Sequence, residues 1–576
     1  MDSSSVDVLV IGGGPAGATA ATVLKKYNPE LQVVLVERET FPRYHIGESL
    51  VLEVNRALQD SGALDYISQA GFLKKGGATY VWGEDRKPWT FLFSERTAQR
   101  PHFDGIASYT WHVDRARFDT LLLEHAQRMG VRVLQPATVL HPITEGDTVV
   151  GVRVATLEGE RTLRARFTID ASGRSGLLAR RFGARKFDPV LRNVATFGYW
   201  KDARLDADYL LDWELSAIGI ITIPIGWLWY IPIQPGVVSV GVVTSSERFR
   251  SEAAKDVQSF YLEHVMSAPE VKAWLSNAEL VTFPGAPSKV MVEQDFNYIN
   301  DKAWGPGWAA VGDALGFVDP LFTFGVFLST TGAQLLGYCL GTMLDGRYPG
   351  ATAGRLLDAY QDHIRTYYDA FTAMVYIFYG FNSSKENFWS EARNLLHAHA
   401  LPAEIGDRDA FKAFTFGYGV NTMLFHEATQ HFGHVSLHRI REMCLSEDLD
   451  KVEMSDPGEY GKGVLSDTTR VRLKAKLQST DSVVPVVGTG RVIPMSRVSI
   501  ESDGVNGARF PRHMYLPEQV LTVISQLDGS ASLVELRNRL SDSKTRLGDR
   551  VVEHGVLLAH ALRALVQMGA AEVVQD

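Results

Sequence analysis

With 576 residues, 45% of them apolar and 22% charged, the chain has the composition of a multi-part soluble globular protein and excludes a disordered or fibrous one. Against 67 Asp and Glu stand 58 Lys and Arg, a net charge of −9 with no polycationic tail to collect phosphates, so nucleic acid is not expected as a partner. Cys339 and Cys444 stand far apart and outside any metal-ligand spacing, which argues against a disulfide framework or a zinc site and points to a cytoplasmic protein.

The opening MDSSSVDVLVIGGG has no basic segment before its apolar run, and Ile218–Val243 is interrupted by Pro224, Gly226, Pro232, Pro235 and Gly236. Neither a leader nor a membrane-spanning helix is expected. Val6–Ile11 reads as a buried strand, Gly12-Gly13-Gly14-Pro15-Ala16-Gly17 as a turn, Ala18–Lys26 as a helix and Leu31–Val36 as a second strand. Gly12, Gly14 and Gly17 carry the Gly-x-Gly-x-x-Gly spacing between strand and helix, and Glu37 lies 20 residues beyond Gly17. That context makes the pattern dinucleotide-binding. The glycines allow close backbone approach, the helix N-terminus, with Pro15 and Ala16 in the turn before it, attracts a pyrophosphate, and Glu37, with Arg38 beside it, meets the adenosine ribose.

Arg166–Ala171 and Trp308–Val311 read as further strands of the same sheet. Tyr80–Phe93 and Val194–Val243 are rich in β-branched and aromatic residues, which predicts a second, more antiparallel sheet interleaved at about 80–110 and 187–300, with a cleft at the junction. The fold class is therefore α/β (α+β): a Rossmann-like module over 1–350 with a long helix from Gly325 to Leu344, then a helical lobe over 351–450. Residues 451–512, Gly/Ser/Asp-rich with Asp456-Pro457-Gly458 and Ser502-Asp503-Gly504, are expected as linker or loosely paired strand. In 513–576, helices are predicted over Pro517–Leu527, from a capping box at Ser532-Leu533-Val534-Glu535, and over Val551–Met568, with a strand at Glu572–Val574. This end resembles a winged-helix module such as those of PQQ-biosynthesis peptide chaperones.

Three segments favour FAD over NAD. Asp114-Arg115-Ala116-Arg117-Phe118-Asp119, Asp170-Ala171-Ser172-Gly173, and Gly312-Asp313-Ala314 with Pro320 and Gly325 resemble, in order, the flavin-contacting segments of flavin monooxygenases. The resemblance implies FAD contacts from Arg115, Asp170, Gly173, Gly312, Asp313 and Gly325. Gly226-Trp227-Leu228-Trp229-Tyr230-Ile231-Pro232 narrows it further, because it matches the GWxWxIP motif of flavin-dependent halogenases. On a strand Trp227, Trp229 and Ile231 share one face, so the indoles form a wall.

Phe41–Ser49 also resembles the halogenase version of the second flavin-contacting loop, which carries over Arg43, Ile46, Gly47, Glu48 and Ser49. In Phe72–Tyr80, where halogenases carry an active-site lysine, the spacing to Tyr80 selects Lys75 over Lys74. Phe317–Gly325 is similar to the family's FxxPxxSxG motif, with Thr323 in place of Ser. It implies a halide site at Pro320, Thr323, Phe324 and Gly325, with backbone amides as an anion nest. Tryptophan halogenases place a glutamate near this turn, whereas Phe322 stands here, which shifts the expected substrate from free tryptophan to a phenol, a pyrrole or a carrier-tethered aromatic. Asp295, 18 residues before Asp313, stands where some relatives bring a carboxylate to the flavin dimethylbenzene edge, so an ester link to FAD is conceivable there.

The resemblance implies an FAD-dependent halogenase of natural-product biosynthesis, using reduced FAD from a separate flavin reductase, dioxygen, and chloride or bromide. Hypohalous acid would pass the indole wall to Lys75, which hydrogen-bonds it or, desolvated, forms a haloamine. No second dinucleotide fingerprint is found, in keeping with a reductase partner. Candidates for the deprotonating base are His45, His112 and His426, by residue type alone. The alternatives are an aromatic hydroxylase and a flavin-binding regulatory protein whose winged-helix module, with Arg537, Arg539, Lys544, Arg546 and Arg550, recognises DNA, a peptide or a carrier protein.

Overall fold

The computed structural model describes residues 5–82, 86–96, 107–252, 256–294, 296–345, 353–380, 465, 467–486, 490–501, 512–547, 550–567 and 570–574. Asp295, His426, Cys444 and the lobe residues 381–450 lie outside the described residues. The described residues form two compact units, one of 5–337 with 364–380, the other of 338–363 with those from 465 onward.

In the first unit Val6–Ile11 is the centre of a mainly parallel sheet, paired with Val33–Val36 on one side and Gly159–Asp170 on the other. Arg132–Leu134 and Trp308–Ala310 extend it outward. A central strand covered on both faces needs a continuous apolar run, and Val8, Leu9 and Val10 are all fully buried. Register sets the site: Ile11 stands opposite both Val36 and Asp170, so Gly12, Glu37 and Ala171 emerge together at the carboxyl edge of the sheet.

The second sheet has nine strands, with Gly226–Gln234 between Leu215–Ile223 and Val237–Ser245. Asn193–Lys201 pairs beyond Val237–Ser245. On the other side Leu73–Val81 runs parallel to Leu215–Ile223 and takes Thr110–His112 as an antiparallel neighbour. This sheet begins at Leu73, earlier than expected, so the lysine pair lies on a strand. Alternation then separates the two, leaving Lys74 exposed and Lys75 buried.

Helix Gly325–Asp345 follows the expected span, and a second helix covers Ala353–Gly380. The expected boundary at 350 is corrected by the packing of residues 364–380 on the first unit: Phe371 stacks on Phe324 at 3.7 Å between ring centres, and Phe378 meets Phe322 edge to face at 5.0 Å.

In the second unit, the stretch expected as linker or loosely paired strand over 451–512 is, among its described residues, regular sheet over Arg470–Leu473, Lys476–Val486 and Arg491–Glu501. Lys476–Val486 pairs antiparallel with Arg491–Glu501, and Arg512–Leu516 adds a third strand. Val483, Val492, Met495 and Val498 are buried there, so a few apolar positions support a sheet in a stretch of polar composition. Helices Glu518–Ser525, Leu533–Asn538 and His554–Gln567 follow, the second opened by a capping box of Ser532 and Glu535. The last strand, Ala571–Val574, pairs with Arg470–Leu473, so this unit recruits sequence from well before residue 513. Among the described residues no helix is long and apolar enough to cross a membrane.

Candidate functional site

A cavity of about 590 Å³ runs from the carboxyl edge of the first sheet to the indole face of the second. At its first end stand Gly12, Gly14, Pro15 and Ala16, with Glu37 and Arg38. Only glycine fits the turn: Gly12 has φ +105°, and a Cβ there would lie 2.3 Å from the Ala171 carbonyl oxygen. Gly17 is not on the cavity wall. A Cβ on it would lie 1.9 Å from the Gly12 carbonyl oxygen, so its role is the close approach of helix to turn. No side chain caps helix Pro15–Tyr27 at Gly14, which leaves first-turn amides available to an anion. Glu37 accepts the Gly13 amide at 2.6 Å and the Glu39 amide at 2.8 Å, which fixes its carboxylate beside the turn.

The loop 41–49 forms one flank. Arg43 contacts Asp119 at 3.4 Å, yet its buried Nη1 has no hydrogen-bond partner, and the guanidinium lies beside Gly14. A guanidinium with one buried nitrogen left unsatisfied at a helix N-terminus fits a pyrophosphate. Arg115 holds Asp119 through Nε at 2.8 Å and Nη2 at 3.0 Å, and donates from Nη1 to the Ile46 carbonyl at 2.8 Å. It therefore braces the loop as well as lining the cavity with Ile46, Gly47, Glu48 and Ser49. His45 also lines it; burial, reinforced by Arg115, lowers its pKa to about 4, so it is neutral.

Glu48 is buried, accepts the Tyr199 hydroxyl on Oε1, and has no hydrogen-bond partner on Oε2. Burial raises its pKa to about 7 against the opposing effect of Tyr199 and Ser239. Asp313, at the far side, is likewise raised to about 6 by burial, with Arg115 pulling the other way. Gly173 lines the cavity, but Asp170 does not. Its Oδ2 accepts the Leu178 and Ala179 amides at 2.6 and 3.1 Å, so it pins the following loop. Gly312 is also off the wall; its φ of +62° and its contact with Ala16 make it a packing glycine.

At the second end, Trp227, Trp229 and Ile231 present one face to the cavity, the two indoles 6.1 Å apart. Trp229 Nε1 donates to Ser239 Oγ at 3.2 Å and Trp227 Nε1 to the Tyr379 hydroxyl at 2.5 Å. Tyr379 donates in turn to Asp319, whose Oδ2 also accepts Asn193 at 3.1 Å. One phenol thus ties the indole wall to the residue before Pro320. Pro320, Thr323 and Gly325 line the cavity. The anion nest needs correcting: Thr323 adopts φ +58°, but its amide donates to the Pro320 carbonyl at 2.9 Å. Phe324 is off the wall, its ring stacked on Phe371, which leaves Pro320, Thr323 and Gly325 of the expected halide residues at the cavity.

Lys75 is not on the cavity wall. Its ammonium donates to the Leu50 carbonyl at 2.8 Å and lies 5.8 Å from the Phe93 ring centre; burial lowers its pKa to about 7. His112 lies on the neighbouring strand with both ring nitrogens buried and without hydrogen-bond partners. Sequence reasoning did not single out Tyr44, Tyr199, Ser239, Asp319 or Tyr379. Tyr44 and Asp319 stood within motifs already quoted; Tyr199, Ser239 and Tyr379 carry no local signal, being brought in from separate strands and a helix.

A glycine turn at a helix start, a guanidinium with one unsatisfied nitrogen beside it and a carboxylate at the end of the second strand fit FAD. The tryptophan halogenase family profile matches residues 7–104 and 96–432. The chain belongs to this family. It is 34% identical over 403 residues to the tryptophan 2-halogenase of Chondromyces crocatus, covering 68% of this chain and 72% of that one. With the 1H-pyrrole-2-carbonyl-[peptidyl-carrier protein] chlorinase of Pseudomonas fluorescens it shares 32% over 354 residues, 58% of this chain and 75% of the relative. The structure of the myxobacterial chondrochloren halogenase CndH, FAD-dependent, superposes at TM-score 0.60 and 30% identity over 73% of this chain and 97% of that one. CmlS, a flavin-dependent halogenase, is similar in fold over 100% of this chain and 98% of its own, at TM-score 0.64 and 22% identity. This halogenase is accordingly an enzyme that works with FAD, dioxygen and halide.

Proposed function

We propose that this halogenase holds FAD with its pyrophosphate at Gly12–Ala16 and Arg43, its ribose at Glu37 and its ring system between Asp313, the 46–49 loop and the indole wall. The observation that carries the reading is a single cavity with a dinucleotide turn at one end and the indole wall and Pro320–Gly325 turn at the other. When bound and reduced, FAD supplies the two electrons that let dioxygen oxidise halide to hypohalous acid. The chain's own residues do the rest. Trp227, Trp229 and Ile231 exclude water, and Thr323 with the Gly325 backbone holds halide at the start of helix Gly325–Asp345.

Lys75 is the station on the substrate side: a desolvated amine near neutrality can donate a hydrogen bond to hypohalous acid or take up its halogen. The substrate is an electron-rich aromatic, and the pyrrole-carrier chlorinase among its relatives supports a carrier-tethered ring. A separate flavin reductase delivers reduced FAD. The test is to mix protein bearing photoreduced FAD with oxygenated buffer and trap hypohalous acid with a small amine. Haloamine that depends on halide and exceeds free-FAD controls is expected; peroxide alone, equal to the controls, would refute the reading. Phenol, indole and carrier-bound pyrrole panels then separate the substrate classes.

A further inference from the structure

Oxidising one halide to hypohalous acid with one dioxygen and one two-electron-reduced FAD yields oxidised FAD and one water, and it consumes one proton. A cavity that excludes bulk water must admit that proton by a defined route. Glu48 stands at such a route. Its carboxyl is 3% exposed and lines the cavity, its Oε2 has no hydrogen-bond partner, and Oε1 accepts the hydroxyl of Tyr199. The Tyr199 hydroxyl lies 3.0 Å from that of Tyr44, which is partly exposed. Tyr199 is held in place by stacking on Phe283 at 4.2 Å and by the edge of Tyr44.

We propose that Glu48 is the proton-holding residue of the cavity, carrying its proton on Oε2 and refilled from solvent through the hydroxyls of Tyr44 and Tyr199. The proposal rests on the assignment of this cavity to FAD. In each turnover Oε2 gives its proton to oxygen derived from dioxygen. Tyr199 passes its hydroxyl proton to Oε1, Tyr44 passes its own to Tyr199, and solvent restores Tyr44; rotation of the carboxyl and of the two hydroxyls then returns the acid proton to the cavity-facing oxygen, so that only O–H bonds have changed. The groups facing Glu48 are Tyr199, Ser239, Asp114, Arg115 and Tyr44; burial, aided by the Asp114 charge, favours the neutral acid and outweighs Tyr199, Ser239 and Arg115. The other titratable groups of the wall serve less well. Asp313 faces Arg115, Arg174 and Arg185, which favour its charged form, and the His45 ring uses Nδ1 on the Ile46 carbonyl and faces Arg115 and Arg43.

The test follows trapped hypohalous acid across pH together with the neutral-carboxyl C=O stretch of the FAD-free protein by infrared spectroscopy. The wild type should lose rate as Glu48 ionises above about pH 7, and the infrared band should fade over the same range. Glu48→Gln should cut the rate on the order of 100-fold, abolish that limb and remove the band from the wild-type-minus-variant difference, with FAD uptake retained. Tyr199→Phe, a milder change, removes a hydrogen bond that favours the carboxylate, so the limb and the band should move to higher pH. Glu48→Gln with FAD bound and the limb and band unchanged would overturn the proposal, as would an unmoved limb in Tyr199→Phe. Wild-type protein that takes up no FAD would instead overturn the cavity assignment, and the proposal with it.

Discussion

The two ends of the cavity are built from different materials. At the dinucleotide end the wall is largely backbone: glycines with positive φ, uncapped helix amides, and a carboxylate whose two oxygens each accept an amide. At the indole end the wall is side chain, and beside it lie buried titratable groups displaced from their ordinary ranges: Glu48, Asp313, Asp319 and Lys75. The first end recognises a shape, with Arg43 Nη1 and the first-turn amides left unpaired for a ligand to satisfy. The second keeps desolvated acids and an amine close to neutrality, an arrangement that costs stability and suits proton and halogen transfer.

Substitutions should separate the two. Gly17→Val puts a side chain where even a Cβ lies 1.9 Å from backbone that cannot move aside. FAD affinity, measured by recovery of free-flavin fluorescence, should fall by more than about 100-fold, and a smaller loss would show that the turn can relax. Lys75→Ala should lower halogenated product on the order of 100-fold while FAD binding and trapped hypohalous acid stay near wild type, because Lys75 lies off the cavity wall. Loss of hypohalous acid in that variant would place Lys75 upstream and break the division.

The smallest effect concerns stability. Asp313 has its pKa raised from 3.8 to about 6, so the folded state disfavours its charge, and stability is lost as pH rises through that interval. Asp313→Asn should therefore stabilise the FAD-free protein by about 3 kcal/mol at pH 7 and by little near pH 4. Urea unfolding at both pH values checks this; an equal change at both would assign the effect to packing.

The dinucleotide end was legible because its chemistry is local: six residues across the junction of a strand and a helix fix the turn, and the acidic residue follows at the end of the next strand. The indole wall was legible through strand alternation, which also separates Lys75 from Lys74. The proton file was not. Tyr44 and Tyr199 are 155 residues apart in sequence and meet only because two sheets converge. Asp170 and Phe324 show a further limit, since a motif marks a residue as needed without saying whether it touches the ligand or holds up those that do. The paired strands Lys476–Val486 and Arg491–Glu501 were obscured because their apolar residues are set among Ser, Thr and Asp, whose composition alone reads as loop.

Of the eleven tryptophans in the chain, Trp227 and Trp229 stand in the cavity wall itself. Indole emission overlaps flavin absorption, and a flavin held against these rings would drain their excited state far more completely than that of tryptophans farther off. The wall that keeps water from the oxidant is thereby also an unlabelled optical gauge of how full the cavity is.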